Sequence, residues 1–383
     1  MMMTMGKKIL YIFGGLYAPN GMSSIISEKI NYLAEYTDNQ MYMVLTERPN
    51  IPHYYKLSEK VNWINFDINF DDIDSMSFIK KFFFFILKQY KFKKQLVRYM
   101  MELRPDITVS VARREINFIT KVKDGSKKIA EIHFARTFYR KINIRCLPEF
   151  VNKWISCFWM NRLLDNLKKL DRFIVLTHED SKNWPELNNL VVIPNFISSI
   201  PNCKSDRSSK AVIAVGRYSW QKGFDLLIEA WAIVNKKHPD WILNIYGGGD
   251  NNAFQCIVEN KGLSDVIHCN PAVSDIFNRY YESSFFVLSS RYEGLPLVII
   301  EAMGAGLPVV SFACPCGPRD MIRDGYNGFL VDNGDVEQLA IKICYLIENS
   351  DIVNVMGENA ISSIKDFNKE AIMNRWIKLF EEL

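Results

Sequence analysis

Short apolar runs alternate with amphipathic stretches along the whole chain. Residues 8–13 read as a buried parallel strand, followed by a loop with Gly14 and Gly15 and by a helix near Ser23–Tyr36. Further strand-length runs fall at Met41–Leu45, Ile107–Val111, Lys128–Ile132 and Phe173–Leu176, at separations that suit crossover connections. The polar stretch Pro201–Lys210 (PNCKSDRSSK) breaks the pattern and reads as a linker. Alternation then resumes. Strands are predicted at Ala211–Val215, Trp241–Tyr246, Phe285–Leu288 and Leu307–Phe312, and helices at Phe224–Val234 and Leu297–Met303. Repeated βα units predict a parallel sheet covered by helices, and a central linker predicts two such sheets. Ligands of such sheets sit beyond the carboxyl ends of the strands, so the residues following each strand carry the functional question.

Composition changes this picture little. A chain of 383 residues exceeds what one hydrophobic core usually organises, in line with two domains. A net charge of +4 is too small to point to nucleic acid by itself. The 8 cysteines are scattered, Cys146 among them, and only Cys314 and Cys316 lie close together. No paired CxxC or Cys/His set predicts a structural zinc, and reduced thiols of a cytosolic enzyme are expected. Lys7-Lys8 and the apolar residues after them imitate the start of a signal peptide. They lack a small-residue cleavage site and are interrupted by Gly14-Gly15, which favours a buried strand. No uncharged apolar run reaches the length of a membrane-spanning helix.

The strongest chemical signal runs from Ser290 to Gly304, SRYEGLPLVIIEAMG. Pro296 suits a first helical position, which puts Glu293 just before the helix and Glu301 in its second turn. The N–H groups around Gly294, Leu295, Pro296, Leu297 and Val298 would form an anion site reinforced by the helix dipole, with a carboxylate on either side for sugar hydroxyls. Two glutamates alone would equally suit a capping acid and a surface acid; the surrounding pattern favours the site. A second signal follows the strand Ala211–Val215: Gly216, Arg217, then Lys222-Gly223. An arginine fork and a lysine point charge together suit a diphosphate, although two solvated loop cations would read the same way. Gly14 and Gly15 would bring the backbone close to a phosphate or acceptor, and Gly248 within Gly247-Gly248-Gly249-Asp250 would admit a nucleotide, or these glycines simply make turns. His133 ends a predicted strand, where a histidine is either structural or catalytic.

The segment Phe78–Tyr99, FIKKFFFFILKQYKFKKQLVRY, holds basic residues at 80, 81, 88, 91, 93, 94 and 98 beside the phenylalanines 82–85. An interfacial helix on an anionic membrane surface and a core helix with a solvated basic side both fit. Nucleic acid is disfavoured, because no base-reading module is recognisable.

With these residues in place, the second half resembles family 4 of the glycosyltransferases, of the bacterial polysaccharide biosynthesis type. Glu293 to Glu301 matches the family's E-x7-E motif, and Val215-Gly216-Arg217 with Lys222-Gly223 matches its phosphate-binding segment. Val192-Ile193-Pro194-Asn195 is similar to the interdomain stretch, with Phe196 where glycine is common. Gly317-Pro318-Arg319-Asp320 and Asn327-Gly328 match the closing segment, with Asp320 in place of glutamate. The likeness is specific over residues 190–335.

The resemblance implies a GT-B fold: two Rossmann-like parallel-sheet α/β domains facing a central cleft. Residues 1–196, completed by a C-terminal helix 368–383, would bind the acceptor, and residues 197–367 the nucleotide sugar. It further implies a retaining, metal-independent transfer without cofactor, from a nucleotide diphosphate sugar to a glycan or lipid-linked acceptor in cell-surface polysaccharide biosynthesis. Uridine is the favoured base, with Ala272 near it and Pro271 where the family has glycine. Glu301 would hold the ribose, Glu293 the sugar hydroxyls, Arg217 and Lys222 the leaving diphosphate, and His133 the sugar from the first domain. The expected location is cytoplasmic and peripheral at the inner face of the membrane. A sugar epimerase or phosphorylase on the same fold, or an inactive nucleotide-binding scaffold at the membrane, are the competing readings. No phosphorylase-type lysine motif for pyridoxal phosphate is visible, and the intact Glu293, Glu301, Arg217 and Lys222 argue against the scaffold.

Overall fold

The computed structural model describes residues 6–18, 20–73, 76–139, 148–197 and 203–383. Cys146 and the start of the linker at 201–202 lie outside the described residues. The chain divides into two compact units. The first comprises Met1–Val175, Asn183–Ile193 and Met373–Leu383, the second Leu176–Lys182 and Pro194–Ile372. In this division Leu176–Lys182 and residues 194–196 fall in the second unit, on the other side of the sequence boundary at 196.

The first unit is built on β1 (Lys8–Ile12), β2 (Gln40–Leu45), β3 (Asn62–Asn65), β4 (Ile107–Ser110), β5 (Lys127–Glu131), β6 (Arg172–Val175) and β7 (Leu190–Val192). They pair in parallel in the order β3-β2-β1-β4-β5-β6-β7. The central strands are covered on both faces, which is why their sequences read as near-continuous apolar runs. Among the helices, α1 (Gly21–Tyr36) is capped by Asn20, whose side chain accepts from Ser23 N at 2.9 Å. In α2 (Phe78–Leu103) the buried side chains Phe92, Leu96 and Met100 lie in its second half. The third is α3 (Glu149–Leu167).

The second unit holds β8 (Ala211–Val215), β9 (Ile242–Gly247), β10 (Ile267–Pro271), β11 (Phe285–Leu288), β12 (Val309–Phe312) and β13 (Gly328–Val331), all parallel, in the order β10-β9-β8-β11-β12-β13. Its helices are α4 (His178–Ser181), α5 (Phe224–Asn235), α6 (Asn252–Asn260), α7 (Ile276–Tyr281), α8 (Leu297–Gly304), α9 (Pro318–Met321), α10 (Val336–Glu348) and α11 (Ser350–Ser363). The last helix, α12 (Lys369–Glu381), begins in the second unit and ends in the first, where Lys7 Nζ donates to Phe380 O at 2.6 Å.

The hydrophobic pattern predicts the central strands and misses edge strands. Asn62, Trp63 and Ile64 of β3 are exposed, and β10 mixes polar residues with a terminal proline, so neither shows an apolar run. In each sheet the strand order reverses beside the first strand of the unit, between β1 and β4 and between β8 and β11. Those reversals open a crevice at the carboxyl ends of the strands.

Candidate active site

Two loops leave the second unit's sheet at its reversal point, Gly216–Gly223 after β8 and Ser289–Pro296 after β11. They are stitched together. Arg291 N donates to Gln221 O at 2.8 Å, Gln221 Nε2 to Tyr292 O at 2.9 Å, and Ser289 Oγ to Lys222 O at 2.9 Å. The Arg291 guanidinium grips Asp225 through both terminal nitrogens, at 2.9 and 2.6 Å. Gly223 is fixed by geometry: its φ is +62°, and a Cβ would stand 2.1 Å from Ser289 O.

This stitching brings Lys222 Nζ within 2.6 Å of Glu293 Oε1, with the two side chains 17% and 8% exposed. Ser290 Oγ donates to the same oxygen at 2.6 Å. Gly216 lies beneath the lysine stem, where a Cβ would come within 3.0 Å of Lys222 Cδ. The glutamate backbone is pinned as well, its N donating to Pro315 O at 2.8 Å and its O accepting from Cys316 N at 3.1 Å. Glu293 Oε2 has no partner among the described residues, so a rigidly held carboxylate presents one vacant acceptor.

The amides of Gly294, Leu295, Leu297 and Val298 likewise have no acceptor among the described residues. They precede and open α8, whose dipole adds to their pull on an anion. Pro296 stands one position earlier than expected: it is the N-cap, with ψ of 93°, and the helix begins at Leu297. Its missing N–H still costs nothing there. Glu301 follows in the second turn, half-buried, and takes the Tyr280 hydroxyl on Oε2 at 3.1 Å. Burial pushes its carboxyl above the ordinary glutamate range, and the Tyr280 hydrogen bond opposes that shift.

Neighbouring strand ends complete the rim. Gly216 N donates to Tyr246 O at 3.0 Å and Tyr218 N to Gly248 O at 2.8 Å, which sets the glycines after β8 and β9 side by side. A side chain on Gly248 would meet nothing within 4 Å, so the space above it is open. Ala272 follows β10 and is exposed, and Arg217 is exposed with no ion pair among the described residues. The closing motif packs on the same loop, since a Cβ on Gly317 would lie 2.6 Å from Pro296 Cδ. Asp320, however, accepts from the backbone N–H groups of His178 and Glu179 and so caps α4. Asn327 is buried in a structural role, donating to Met321 O at 3.1 Å.

The remaining predicted residues belong to the first unit. Gly14 and Gly15 follow β1, and Gly14 O accepts from Thr46 N and Glu47 N, both at 2.9 Å. His133 follows β5 with its side chain only 5% exposed, and its Nε2 is 3.4 Å from Glu131 Oε2. Glu131 is fully buried and also bonded to Lys29 Nζ, which sits 3.9 Å over the Trp376 ring. Burial alone would raise the Glu131 carboxyl; Lys29 and His133 overcome it and hold the pKa down at about 2.

Sequence reasoning missed Tyr280, the Lys29–Glu131 pair and the hydrogen-bonding part played by Ser290. A signal for Lys29 existed: it interrupts the apolar face formed by Ile25, Ile26, Ile30 and Leu33 of α1.

Residues 200–363 match the family model described as glycosyl transferases group 1. An uncharacterized glycosyltransferase of Haemophilus influenzae is 32% identical over 230 residues, covering 57% of this chain and 65% of that protein. The amylovoran biosynthesis glycosyltransferase AmsD of Erwinia amylovora is 24% identical over 383 residues, covering 96% of this chain and 98% of its own. Among solved structures, TarM of S. aureus in complex with fondaparinux, α-GlcNAc-glycerol and UDP superposes with a TM-score of 0.73 at 19% identity, over 98% of this chain and 99% of that one. The chain spans less than two thirds of the length of several curated relatives that it matches, 65%, 24% and 45% for the first three. The two parallel-sheet units thus have the GT-B fold, and residues 200–363 are similar to the glycosyl transferases group 1.

Proposed function

We propose that the chain is a retaining glycosyltransferase that moves a sugar from a nucleotide diphosphate sugar, with uridine favoured, to a glycan or lipid-linked acceptor in cell-surface polysaccharide biosynthesis. The observation that carries this reading is the contact of Lys222 with Glu293 at the β8–β11 reversal, which joins the two sequence motifs in one place. The AmsD relative, named for amylovoran biosynthesis, and the UDP bound to TarM support the class of reaction and the base.

On this reading the diphosphate lies against the unpaired amides at the start of α8, with Arg217 and Lys222 neutralising it. Glu301 accepts from the ribose hydroxyls, and the vacant oxygen of Glu293 accepts from a donor-sugar hydroxyl. His133 is the first unit's residue for the donor sugar. The bond from the anomeric carbon to the phosphate oxygen breaks as the acceptor oxygen attacks the same face. The acceptor proton passes to the departing phosphate, so no carboxylate serves as covalent nucleophile. Charge grows on the diphosphate at the transition state, where preorganised donors contribute most. Two cations and a helix terminus serve in place of a metal, so turnover should survive EDTA. Incubating the chain with UDP-sugars and lipid-linked acceptors, with and without EDTA, tests both statements. Donor binding without transfer to any acceptor would contradict the first, and activity restored only by added magnesium or manganese the second.

The membrane route to such acceptors rests on α2. Its first half exposes Phe82, Phe83, Phe84, Phe85, Ile86, Leu87 and Tyr90, while no helix among the described residues is long and apolar enough to cross a membrane. Two of its basic residues have structural work: Lys88 donates to Ile68 O at 2.6 Å and Lys91 to Asp67 O at 3.0 Å. The charge-reversal test therefore uses Lys80, Lys93 and Lys94, which are exposed. Each should contribute roughly 1 kcal/mol to binding of anionic vesicles, weakening with salt. Unchanged co-sedimentation of the triple glutamate variant would leave α2 without this role.

A further inference from the structure

The first unit has its own reversal point, between β1 and β4, and two adjacent arginines stand in the loop after β4. Arg113 and Arg114 stand at a small surface cleft whose other walls include Gly14, Phe13, Phe70 and Val111. Arg113 is exposed, and its Nη1 would be 3.1 Å from a Cβ added to Gly14. Arg114 is half-buried, with its guanidinium stacked 4.0 Å over the Phe70 ring. Burial pulls this guanidinium below its usual range despite the carboxylates around it.

Glu115 lines the cleft, Glu47 and Asp71 act on Arg114 from nearby, and all three carboxylates accept from neutral donors of the protein. Glu115 accepts from Ser110 Oγ at 2.5 Å and from Arg113 N at 3.1 Å. Asp71 accepts from Tyr17 OH at 2.6 Å, and Glu47 from Thr46 Oγ1 at 3.1 Å and Asp71 N at 3.3 Å. The side chains of Arg113 and Arg114 have no hydrogen bond or ion pair among the described residues. Two guanidiniums, each with a planar set of donors and partly apolar walls behind them, lack only an acceptor.

We infer that Arg113 and Arg114 bind an oxyanion, a phosphate or carboxylate, carried by the acceptor substrate. The assignment to the acceptor rests on the proposed transferase activity: the donor diphosphate has Arg217, Lys222 and the α8 amides as partners in the second unit. The anion lies over the Gly14 backbone at the mouth of the β1–β4 crevice. Glu47 and Asp71 beside it favour hydroxyl-rich ligands and disfavour inorganic polyanions of high charge.

The test is calorimetric titration of the full chain, with UDP present at saturation, by sn-glycerol 3-phosphate against glycerol and by glucuronate against glucose. At least one charged compound should bind, with its neutral counterpart about tenfold weaker or worse, the loss expected for a charge-assisted hydrogen bond. R113Q and R114K should each weaken that binding by a similar factor. Arg113 is exposed, so R113Q carries the test even if R114K fails to fold. Equal binding of charged and neutral compounds, or wild-type binding by R113Q, overturns the inference. Competition between UDP and the bound anion overturns the assignment to the acceptor. Absence of any UDP binding heat sinks the proposed donor reading instead, and leaves the comparison of charged with neutral compounds intact.

Discussion

Lys29 with Glu131 in the first unit and Lys222 with Glu293 in the second are chemically the same pair, set in different surroundings. The first is sealed, with the side chains 2% and 0% exposed, an indole against the lysine and a histidine edge on the carboxylate. The second is 17% and 8% exposed, rests on two loops at a sheet reversal, and leaves one carboxylate oxygen vacant. Burying two charges costs desolvation that their attraction only partly offsets, so a sealed pair holds an architecture together. A pair at a crevice keeps part of its hydrogen-bonding capacity for a ligand. Burial and vacancy, not residue type, separate the two roles.

The largest effect that would sharpen this contrast comes from breaking the sealed pair. Lys29→Met leaves Glu131 buried without its counter-charge and should cost roughly 3–5 kcal/mol, whereas Lys29→Met with Glu131→Leu should recover most of it. The sign of the pH dependence also reverses. In the wild type the Glu131 pKa is depressed, so its stabilisation is full above the unfolded carboxyl value of about 4.3 and is lost as pH falls through about 2. In Lys29→Met the carboxyl is raised by burial, so stability is greatest in acid and falls as pH rises. Thermal melts from pH 3 to 8 read both slopes. Parallel curves for wild type and variant would mean that the pair is not coupled as its geometry indicates.

The crevice pair should behave in the opposite way. Lys222→Ala should cost only about 1–2 kcal/mol of stability, because Ser290 Oγ still donates to the carboxylate left behind. Its turnover should fall by roughly a hundredfold at saturating donor, and Arg217→Ala should do likewise with a smaller change in donor affinity. Single-turnover rates at saturating donor provide the check. An unchanged chemical step in both variants would remove these residues from the reaction.

The sequence reading succeeds where one residue type has one geometric use. Glu293 and Glu301 flank a helix start that Pro296 marks within one position. It fails where function depends on a partner distant in the chain. His133 reads as a solitary histidine because Lys29 lies 102 residues from Glu131, the residue on which both converge. Asp320 reads only as part of the closing segment, yet it caps α4, whose residues precede it by about 140 positions. The basic segment 78–99 reads as one surface, whereas the fold assigns Lys88 and Lys91 to the turn before the helix.

Glu301 and Glu293 differ in what they should accept, and nucleotide affinity separates them. Glu301→Ala should weaken UDP and UDP-sugar alike by about tenfold, whereas Glu293→Ala should weaken only the sugar-bearing ligand. Calorimetry with both ligands is the test, and equal losses for both ligands in both variants would contradict the division of roles.

The smallest effect concerns Tyr280, whose hydroxyl holds one oxygen of Glu301 at 3.1 Å and, on the proposed reading, leaves the other for the ribose. Burial raises the Glu301 carboxyl, and the Tyr280 hydrogen bond pulls against that shift. Glu301 accepts from two hydroxyls best when ionised, so UDP affinity should decline as pH falls through its raised pKa, beginning above the ordinary range near about 4.3. In Tyr280→Phe the carboxyl loses a donor to its charged form, and the decline should begin at still higher pH. At pH 8 the variant should bind UDP within about threefold of wild type, the worth of one ordinary hydrogen bond, and the gap should widen towards pH 5. UDP favours the ionised carboxylate, so binding in the acid range should release a proton, visible as a heat that changes with the ionisation enthalpy of the buffer. Identical pH profiles for the two proteins, with no buffer-dependent heat in either, would mean that Glu301 does not meet the nucleotide through its carboxylate.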